Sequence, residues 1–473
     1  MEAITNFVTT VSEWFNGKLF TIPLPGGGGI DISILVLLLI PTGIYFTIRT
    51  KCLPVRCFRE MLHLSVEKKQ GDKQSGAISG WQALIVSTAT RVGMGNLMGV
   101  VAAVSVGGAG AVFWMWITAL IGASSAFVEA TLAQQYKEKD PLYGGFRGGP
   151  AQYIHKFFQK KNTKRYCLLA ILFAVSGLIC WAGISQVISN SVTTAFEGAF
   201  SIPPIYTTIV LVAFAAVIVL RKNATVKVLD IMVPIMAGLY FVLALFVIFK
   251  NVHLLPQVFT RIFEEAFGIR QVIGGGIGVA LMKGVQRGLF SNEAGSGSAP
   301  CAAAAADVSH PAKSGLLQAL GVFIDTLVIC TCTAMIMLLS PEGAMTGDPM
   351  VLLQGAMHHH FGYAGVIFIS VTLFLFCFST FIGILYYARP NVAYLCGDNW
   401  WSQNAYKIFA LAMLFVGGIS TSHLVWGIGD IGLALMTVFN IIAIIPMGGK
   451  AIKALDEYMA TRKQERKAAK KVK

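Results

Sequence analysis

A polar, glycine-containing interruption, Thr90–Asn96, lies near the centre of the apolar run from Ala83 to Val106. The run is long enough to cross a bilayer, yet its interruption includes Arg91 and two glycines. Unsatisfied backbone groups are costly in hydrocarbon, so a helix break at membrane depth persists only inside protein or beside a water-filled site. We therefore expect a helix unwound at the midplane, whose freed backbone groups hold a small charged solute, as in secondary transporters.

The composition is that of a membrane protein. Of the 473 residues, 55% are hydrophobic and only 13% are charged, and the mean hydropathy is +0.68. These values favour one membrane-embedded bundle over several soluble domains. The nine cysteines are odd in number and form no CxxC pair, so we expect neither a disulfide framework nor a cysteine metal site. Residues 1–30 lack the basic start and apolar core of a cleaved signal peptide.

Hydropathy predicts an all-α polytopic protein with about eleven transmembrane helices, each of roughly the length that a ~30 Å hydrocarbon core requires. The predicted spans are 32–48, 83–106, 111–135, 167–190, 205–221, 228–249, 264–290, 315–339, 363–388, 405–422 and 428–446.

Lysine and arginine are distributed unevenly between alternate loops. Of the 37 such residues, Arg91 lies within the membrane, and few fall on the side of the N-terminus: Lys18, Lys250, Arg261 and Arg270. The positive-inside rule therefore predicts an outside N-terminus and a cytoplasmic C-terminus in the plasma (inner) membrane. The basic tail 462–473 is expected to be solvated or to contact lipid headgroups, with nucleic-acid binding a remote alternative.

A second glycine run, Gly274–Gly278, lies in the seventh predicted span, five spans after the first interruption. An odd number of spans gives the two units opposite orientations, which is typical of inverted repeats with paired broken helices. We therefore expect an N-terminal segment with one extra helix and a cytoplasmic loop, two five-helix repeats, and a basic tail. Their predicted bounds are 1–82, 83–249, 264–446 and 447–473.

The glycines also have a simpler interpretation. Gly95 and Gly99 form a GxxxG, which more often marks close helix packing than a binding site. The spacing does not match a dinucleotide-binding GxGxxG, and no βαβ pattern surrounds it. Packing alone leaves Arg91 and Asn96 unexplained, so we favour a functional break.

Three strings carry a family resemblance: Arg91-Val92-Gly93-Met94-Gly95-Asn96 with Gly99-Val100, Gly145-Phe146-Arg147-Gly148-Gly149-Pro150, and Gln286-Arg287-Gly288-Leu289-Phe290-Ser291-Asn292-Glu293-Ala294-Gly295. Together they resemble the alanine-or-glycine:cation symporter family, and the last string is highly specific. The resemblance extends over nearly the whole chain. It implies the leucine-transporter fold, with ten core helices as a five-plus-five inverted repeat and one additional helix.

The substrate site is expected at the two breaks. A half-helix beginning near Asn96 would direct free amides and a positive dipole end towards the substrate carboxylate. Asn96 is a natural N-cap, and the resemblance also lets it face a sodium ion. Gly93 and Gly95 allow close backbone approach, and Met94 stands where the family usually has threonine. Carbonyls at the second run, with Gly275, Gly276 and Ile277, would accept from the ammonium group.

Two further positions are expected to line the substrate pocket. Gln186 and Asn190 share one face of the fourth span. The resemblance places a substrate-contacting glutamine at Ile188, so Gln186 could replace it only if the helix were shifted; polar linkage between helices is the alternative. Ile384 stands where family members commonly have tryptophan, so alanine or glycine is not settled as the substrate.

A sodium site is expected at the adjacent hydroxyls Ser379 and Thr380 in the ninth span. The resemblance pairs them with carbonyls at Ala89 and Val92, and with Phe376 one turn earlier. Oxygen-only coordination suits a hard cation such as sodium. The alternative is that each hydroxyl bonds to a carbonyl of its own helix.

Arg91 and Asp325 are the ionisable residues expected deep in the membrane, where such groups mark functional sites. They would pair or form local hydrogen bonds, or Asp325 would help to carry protons or sodium. Three other acidic residues are expected near the membrane interface: Glu129, Asp230 and Asp430. His358–His360 is expected in an outer loop, solvated rather than metal-binding.

These features predict a sodium-coupled symporter of small neutral amino acids that works by alternating access. Its expected partners are the amino acid, Na+ as coupling ion and the lipid bilayer, with no other cofactor and no nucleic acid. The alternatives within transport are a proton-coupled or a glutamine-type carrier. A channel is a remote alternative because no polar stripe runs along several helices, and an enzyme is remote because no nucleophile–base pair or metal cluster is found.

Overall fold

A computed structural model describes residues 2–23, 29–67, 78–159, 167–220, 224–269, 276–341 and 347–472. The described chain is almost entirely helical, with two short antiparallel hairpins, β1–β2 and β3–β4. The strands are β1 (Phe20–Pro23), β2 (Gly29–Ile32), β3 (Glu138–Lys139) and β4 (Phe146–Arg147). The helices are α1 (Glu2–Asn16), α2 (Ile34–Arg49), α3 (Leu53–Arg56), α4 (Phe58–Ser65), α5 (Gly80–Arg91), α6 (Val100–Gly107), α7 (Gly110–Gln135), α8 (Pro150–Phe158), α9 (Leu168–Phe200), α10 (Pro204–Val219), α11 (Ala224–Lys250), α12 (Leu255–Ala266), α13 (Ile277–Asn292), α14 (Pro300–Ala305), α15 (Pro311–Val322), α16 (Thr331–Leu338), α17 (Pro349–Phe361), α18 (Tyr363–Cys396), α19 (Trp400–Gly418) and α20 (Ser422–Val472).

Every predicted span overlaps one of these helices or a consecutive pair of them. By length and composition, six helices of the described chain can cross a membrane, or seven when the bent pair Gly80–Arg91 and Gly95–Gly107 counts as one span. α2 and α10 are apolar but only 16 residues long. α13 carries Lys283 and Arg287 among its 16 residues, which lowers its hydropathy. These shorter or more polar helices explain why hydropathy windows on the sequence yield more spans.

The first break lies where the sequence predicts it. A capping box of Ser79 and Gln82 starts α5, which ends at Arg91. The chain then turns by 52° before helical structure resumes at Gly95. The residues Gly95–Gly99 form a π-helical turn that leads into α6. A π-turn of this kind is frequent at functional sites.

The predicted second break, the run Gly274–Gly278, is described only in part. Gly274 and Gly275 lie outside the described residues, and Gly276 is the N-cap of α13. An added Cβ at Gly278 would overlap the backbone nitrogen of Asp31 in β2, so this glycine serves close packing against the hairpin.

A break lies between α13 and α14, where the chain leaves the helical conformation. Glu293 ends α13 in the left-handed conformation with φ of 56°, and Gly295 and Gly297 follow with φ of +89° and +85°. Glycine adopts these angles without the steric cost that a side chain imposes. In the sequence, this break is marked by the string Glu293-Ala294-Gly295-Ser296-Gly297, which contains two glycines but no long glycine run.

Long helices surround the two breaks. α9 packs along α18, α19 and α20, and α7 packs along α13 and α15. Glycines allow the closest of these approaches: an added Cβ at Gly432 of α20 would overlap the backbone of Cys180 in α9. The two broken segments are thereby enclosed by a scaffold of intact helices.

The C-terminal helix extends well beyond the predicted span 428–446. Its C-terminal part, named here the tail helix (447–472), contacts α4 and is therefore not merely solvated. Glu60 of α4 is 4% exposed and accepts hydrogen bonds from Tyr458, Arg462 and Arg466, each at 2.7 Å. Burial alone would raise the pKa of Glu60, but these hydrogen bonds and the two guanidinium charges outweigh it and hold the pKa below its usual value.

Replacement of Glu60 by glutamine is expected to loosen the tail helix. The ionised carboxylate accepts charge-assisted hydrogen bonds from two arginines, whereas a neutral amide carries no charge to attract them. Because the folded-state pKa is lowered, this stabilisation is present at neutral pH and is lost as the pH falls through the folded pKa. Limited trypsin digestion should therefore cleave Glu60→Gln faster after Arg462 and Lys463. Glu457→Gln is the matched control, since the pair of Glu457 with Lys453 is exposed and 3.8 Å long. Equal cleavage of both variants would contradict the conclusion that Glu60 holds the tail helix against α4.

Candidate functional site

Four of the residues predicted to bind sodium come together between α5 and α18. The Ser379 and Thr380 hydroxyls lie 3.4 and 3.2 Å from the Ala89 carbonyl oxygen, and each also donates to the Phe376 carbonyl at 2.9 Å. The hydroxyls thus donate to a carbonyl of their own helix, which is the alternative to a sodium site, and they also contact α5. Val92, the remaining predicted ligand, is buried and ends α5. These residues supply hydroxyl and carbonyl oxygens, the ligands that a hard cation prefers, and the Met236 sulfur lies 3.7 Å from the Ser379 hydroxyl oxygen.

Gly93 and Gly95 face different neighbours. An added Cβ at Gly93 would overlap the Oγ1 of Thr380, so this glycine lets the break lie directly against the hydroxyl cluster. At Gly95 an added Cβ would lie 3.1 Å from the Phe290 ring and 3.5 Å from the Ser291 backbone. Gly95 therefore packs against α13, which is the role that the GxxxG alternative assigns to it. Of the two glycines, Gly93 lies closer to the candidate cation ligands.

Gly93→Ala is expected to disturb the cation cluster more than Gly95→Ala does. The methyl group at Gly93 must displace Thr380, whereas the one at Gly95 meets an aromatic ring that can shift by a few tenths of an ångström. Thermal unfolding of the purified variants with and without sodium measures this difference. Gly93→Ala should lose sodium-induced stabilisation, and adding Thr380→Ala should recover basal stability without the sodium response. A full sodium response in Gly93→Ala would contradict the assignment.

Asn96 connects the first break to Asp325. Its side-chain oxygen accepts from the amide of Gly93 at 2.8 Å, so it satisfies the broken backbone rather than acting as the predicted N-cap. Its amide donates to Oδ1 of Asp325 at 2.6 Å. Ser291 and Thr326 donate to Oδ2 of Asp325 at 2.8 and 2.7 Å. Asp325 is fully buried in a π-helical segment, Phe323–Cys330, that joins α15 to α16.

Arg91 does not form a direct ion pair with Asp325 in the described chain. Its Nη1 donates to the Gln318 carbonyl at 3.2 Å, and an added Cβ at Gly321 would overlap it. Nε and Nη2 of Arg91 are buried and have no hydrogen-bond partner among the described residues. The structure therefore shows local hydrogen bonding for both residues, one of the two outcomes expected from the sequence.

A second buried carboxylate, Glu293, escaped the sequence analysis. It lies at the second break and is 6% exposed. Its Oε2 accepts from the Tyr387 hydroxyl at 3.2 Å and from Thr90 at 3.4 Å, and those two hydroxyls are 2.6 Å apart. This contact joins α5, the second break and α18 within one hydrogen-bonded group.

Glu129, expected near the membrane interface, is fully buried within the protein and contacts the second break. Its oxygens accept from the amides of Gly295 and Gly297 at 3.3 and 3.1 Å and from the Asn440 side chain at 2.8 Å. Asn440 also donates to the Gly295 carbonyl at 2.9 Å and accepts from Tyr153. Glu129 thus satisfies the second break in the way that Asn96 satisfies the first. Arg91 and Asp325 are therefore not the only buried ionisable residues near the breaks. The sequence analysis did not predict this, because hydropathy cannot tell a buried carboxylate from one at a helix end.

Of the remaining predicted substrate contacts, Met94 lies within the first break, whereas Gly276 is exposed and Ile277 is half-buried. Gln186 donates to the sulfur of Met413 at 3.3 Å, and Asn190 donates to the Ser420 carbonyl at 2.8 Å. Both contacts link helices, which agrees with the alternative interpretation. Three others are at most 2% exposed: Met94, Ile188 and Ile384. Gly276 and Ile277 lie at the start of α13, one helix length from the second break.

Two other expectations are corrected. His358–His360 belongs to the last turn of α17 rather than to a loop. His360 is buried, its Nε2 lies 3.0 Å from the Ile336 carbonyl, and the described part of the chain contains no group of three or more metal-ligating side chains. Asp430, expected near the membrane interface, is 7% exposed and forms a buried ion pair with Arg287. Asp230 is half-buried and accepts from Gln82 at 2.9 Å.

Sequence comparison identifies one family across almost the whole chain. The profile of the "Sodium:alanine symporter family" matches residues 28–472. The chain is 44% identical to the amino-acid carrier protein AlsT of Bacillus subtilis, covering 90% of each chain. It is 42% identical to the probable sodium/glutamine symporter GlnT of the same organism, covering 91% of this chain and 89% of that one. It is 33% identical to the sodium/alanine symporter AgcS of Methanococcus maripaludis, covering 92% and 96%.

Solved structures share the fold at low sequence identity. A manganese transporter of Eremococcus coleocola superposes with a TM-score of 0.54 at 15% identity, covering 82% of this chain and 87% of that one. MhsT in complex with L-phenylalanine superposes with a TM-score of 0.53 at 15% identity, covering 79% and 89%. These likenesses confirm the predicted leucine-transporter type of helical membrane fold.

Proposed function

The chain belongs to the sodium:alanine symporter family and is a multi-pass, cation-coupled amino-acid carrier rather than an enzyme. On this premise we propose that it couples sodium to the uptake of small neutral amino acids by alternating access around the two breaks. The two repeats, 83–249 and 264–446, would each contribute one broken helix. The observation that carries the proposal is the group of hydroxyl and carbonyl oxygens that joins broken α5 to intact α18.

Sodium binding at this group would couple the ion to the conformation. The Ala89 carbonyl belongs to α5, whereas Ser379, Thr380 and Phe376 belong to α18. An ion held by both helices stabilises the arrangement in which they touch. A ligand shifts a conformational equilibrium only through its different affinity for the two states. Sodium at this place would therefore favour the state in which α5 lies against α18.

Asp325 offers a second place for a cation. Its carboxylate, the Ser291 and Thr326 hydroxyls and the Asn96 side chain form a buried polar group beside the first break. A carboxylate among hydroxyls can take sodium or a proton, so proton coupling stays an alternative at this group. The site also adjoins the π-turn Gly95–Gly99, near the place proposed for the substrate carboxylate.

The substrate is proposed to bind between the breaks, with its charged ends at backbone and side chains that these segments provide. The ammonium group would face the carbonyl end of α13 and Glu293, where the second break lies, rather than the distant glycine run. A glutamine-type carrier is the second candidate, because the chain is nearly as similar to GlnT as to AlsT. Competition of labelled alanine uptake by alanine, glycine and glutamine distinguishes the two.

The double variant Ser379→Ala/Thr380→Ala is expected to raise the sodium concentration for half-maximal uptake by about tenfold or more. Loss of a hydrogen-bonding partner to a charged group costs roughly 1.5–3 kcal/mol, and about 1.4 kcal/mol corresponds to a factor of ten. Uptake of labelled alanine into proteoliposomes at varied sodium measures the change. Ser370→Ala is the matched control, because this hydroxyl also lies on α18 but bonds to Val366 and Gln354. A double variant with the parent's sodium response would exclude this site.

We propose that the N-terminus faces outwards and the C-terminus faces the cytoplasm, in the plasma membrane. Single cysteines at His359 and Lys453, which are both exposed, are expected to react from opposite sides. The test uses right-side-out vesicles, a background without the nine native cysteines and a membrane-impermeant maleimide. His359→Cys should label in intact vesicles and Lys453→Cys only after permeabilisation. Labelling of Lys453→Cys in intact vesicles would show that the C-terminus faces outwards and would contradict the proposed orientation.

A further inference from the structure

Arg91, the last residue of α5, carries a buried positive charge that none of the assigned roles uses. It is 1% exposed, and no other lysine or arginine of the described chain is fully buried. Its Nη1 donates to the Gln318 carbonyl of α15 at 3.2 Å, and Gly321 leaves the space that this nitrogen fills. Nε and Nη2 have no hydrogen-bond partner among the described residues. The guanidinium is therefore fixed in position without an ion pair in the described chain.

Three buried carboxylates share the surroundings of Arg91. Glu129 and Asp325 are fully buried, Glu293 is 6% exposed, and the charge of Arg91 acts on all three. The hydrogen bonds that these carboxylates accept come from neutral donors, namely hydroxyls, side-chain amides and backbone amides. Neutral donors orient a carboxylate but do not cancel its charge. Three negative charges and one positive charge are thus enclosed in a medium in which charges interact more strongly than in water.

The proposed ions complete this charge balance. Arg91 offsets one of the three negative charges, so two remain. The two proposed sodium ions, one at Asp325 and one at Ser379 and Thr380, offset these two. The amino acid is a zwitterion and adds no net charge. The loaded carrier is therefore neutral around the breaks only when Arg91 supplies its charge, and a buried charge without a counterion is strongly unfavourable.

We propose that Arg91 is a built-in countercharge, which takes the place of one coupling cation and so sets how many cations accompany each amino acid. This proposal rests on the proposed function, because it concerns the ion coupling of the same carrier. A guanidinium cannot give up its proton in a protein, and Arg91 cannot leave the chain. Its charge is therefore present in every state of the transport cycle, whereas sodium is bound and released. Arg91 acts through the charge balance and needs no contact with the ion or the amino acid.

Loss of this charge would leave Glu293 as the carboxylate that takes up a replacement. Both oxygens of Glu129 accept hydrogen bonds, and so do both oxygens of Asp325. At Glu293 the two hydroxyl donors bond to Oε2, and Oε1 has no partner among the described residues. A proton binds to a single oxygen, whereas a metal cation needs a shell of several. In a variant without Arg91, the additional cation is therefore expected to be a proton, taken up outside and released inside with each alanine.

Replacement of Arg91 by glutamine tests the countercharge in proteoliposomes. The equilibrium accumulation of labelled alanine is measured with the membrane potential clamped at zero, first against sodium gradients and then against pH gradients at equal, saturating sodium. Each coupled ion multiplies the accumulation by its own concentration ratio, so the two dependences together give the number of cations per alanine. In Arg91→Gln, a pH gradient of about one unit, acid outside, should raise accumulation about tenfold, and the number of cations should rise by one.

Two controls separate the charge of Arg91 from its shape. Arg91→Lys keeps the charge. Gln318→Leu alters the adjoining side chain, whose amide lies 3.5 Å from the Ala83 carbonyl, without altering any charge. Like the parent, neither variant should accumulate alanine in response to the pH gradient. If Arg91 served packing alone, the variants would differ in stability and rate, while the number of cations per alanine would be the same in all of them.

Two transport results would overturn the countercharge. One is an unchanged number of cations per alanine in Arg91→Gln. The other is proton-driven accumulation by the parent at saturating sodium, a measurement that needs no variant. Absence of sodium-driven alanine uptake by the parent would instead remove the proposed function, whereas parental uptake with an unchanged cation number in Arg91→Gln removes only the countercharge.

Thermal unfolding provides a further test if Arg91→Gln does not fold well enough for transport. The double variant Arg91→Gln/Glu293→Gln removes one charge of each sign, so it should be more stable than Arg91→Gln alone. A non-additive effect of this kind measures the coupling between the two charges. A double variant that is no more stable than Arg91→Gln would overturn the charge balance.

Discussion

Backbone groups at membrane depth must find partners within the protein, and this constraint organises the centre of the structure. The two breaks meet it in the same way, through one buried polar side chain each. Asn96 accepts from the Gly93 amide, and Glu129 accepts from the amides of Gly295 and Gly297. Because each of these side chains has further partners on other helices, the unwound segments are held in defined positions rather than left as irregular loops.

The same buried side chains give the core its electrostatic character. Three carboxylates, Glu129, Glu293 and Asp325, lie near the breaks, and one guanidinium, Arg91, accompanies them. Burial of an unpaired charge is costly, so such an excess of acidic groups favours the entry of a cation over that of an anion. The hydroxyls of Ser379 and Thr380, which are proposed to bind sodium, add neutral oxygen atoms beside α5. A carrier that couples an amino acid to a cation needs this combination of neutral oxygen atoms and negatively charged groups.

One helix, α13, connects a cavity of about 870 Å³, lined by residues that include Arg287 and Asp430, with the core. Within two turns it presents Arg287 to the cavity, Phe290 to Trp426 and Gly95, and Ser291 to Asp325, and it then ends at Glu293. A displacement of α13 would therefore alter the pair of Arg287 with Asp430, the contact of Phe290 with Trp426 and the second break together. Rigid helices that carry several contacts in this way are the physical means by which sites at different depths are coupled.

The amino-acid sequence by itself determined the class of the protein, the positions of its helices and the first break, because hydropathy and glycine are local signals. It also brought Ala89, Phe376, Ser379 and Thr380 to one site, although only through family resemblance, since no local pattern relates residues nearly 300 positions apart. The tertiary structure alone decided which glycines open the chain. Gly278 packs against β2, whereas Gly295 and Gly297 adopt positive φ, and both kinds of glycine look alike in a sequence. It likewise decided that Glu129 and Asp430 are buried, because the burial of a carboxylate depends on the neighbouring helices that supply its donors.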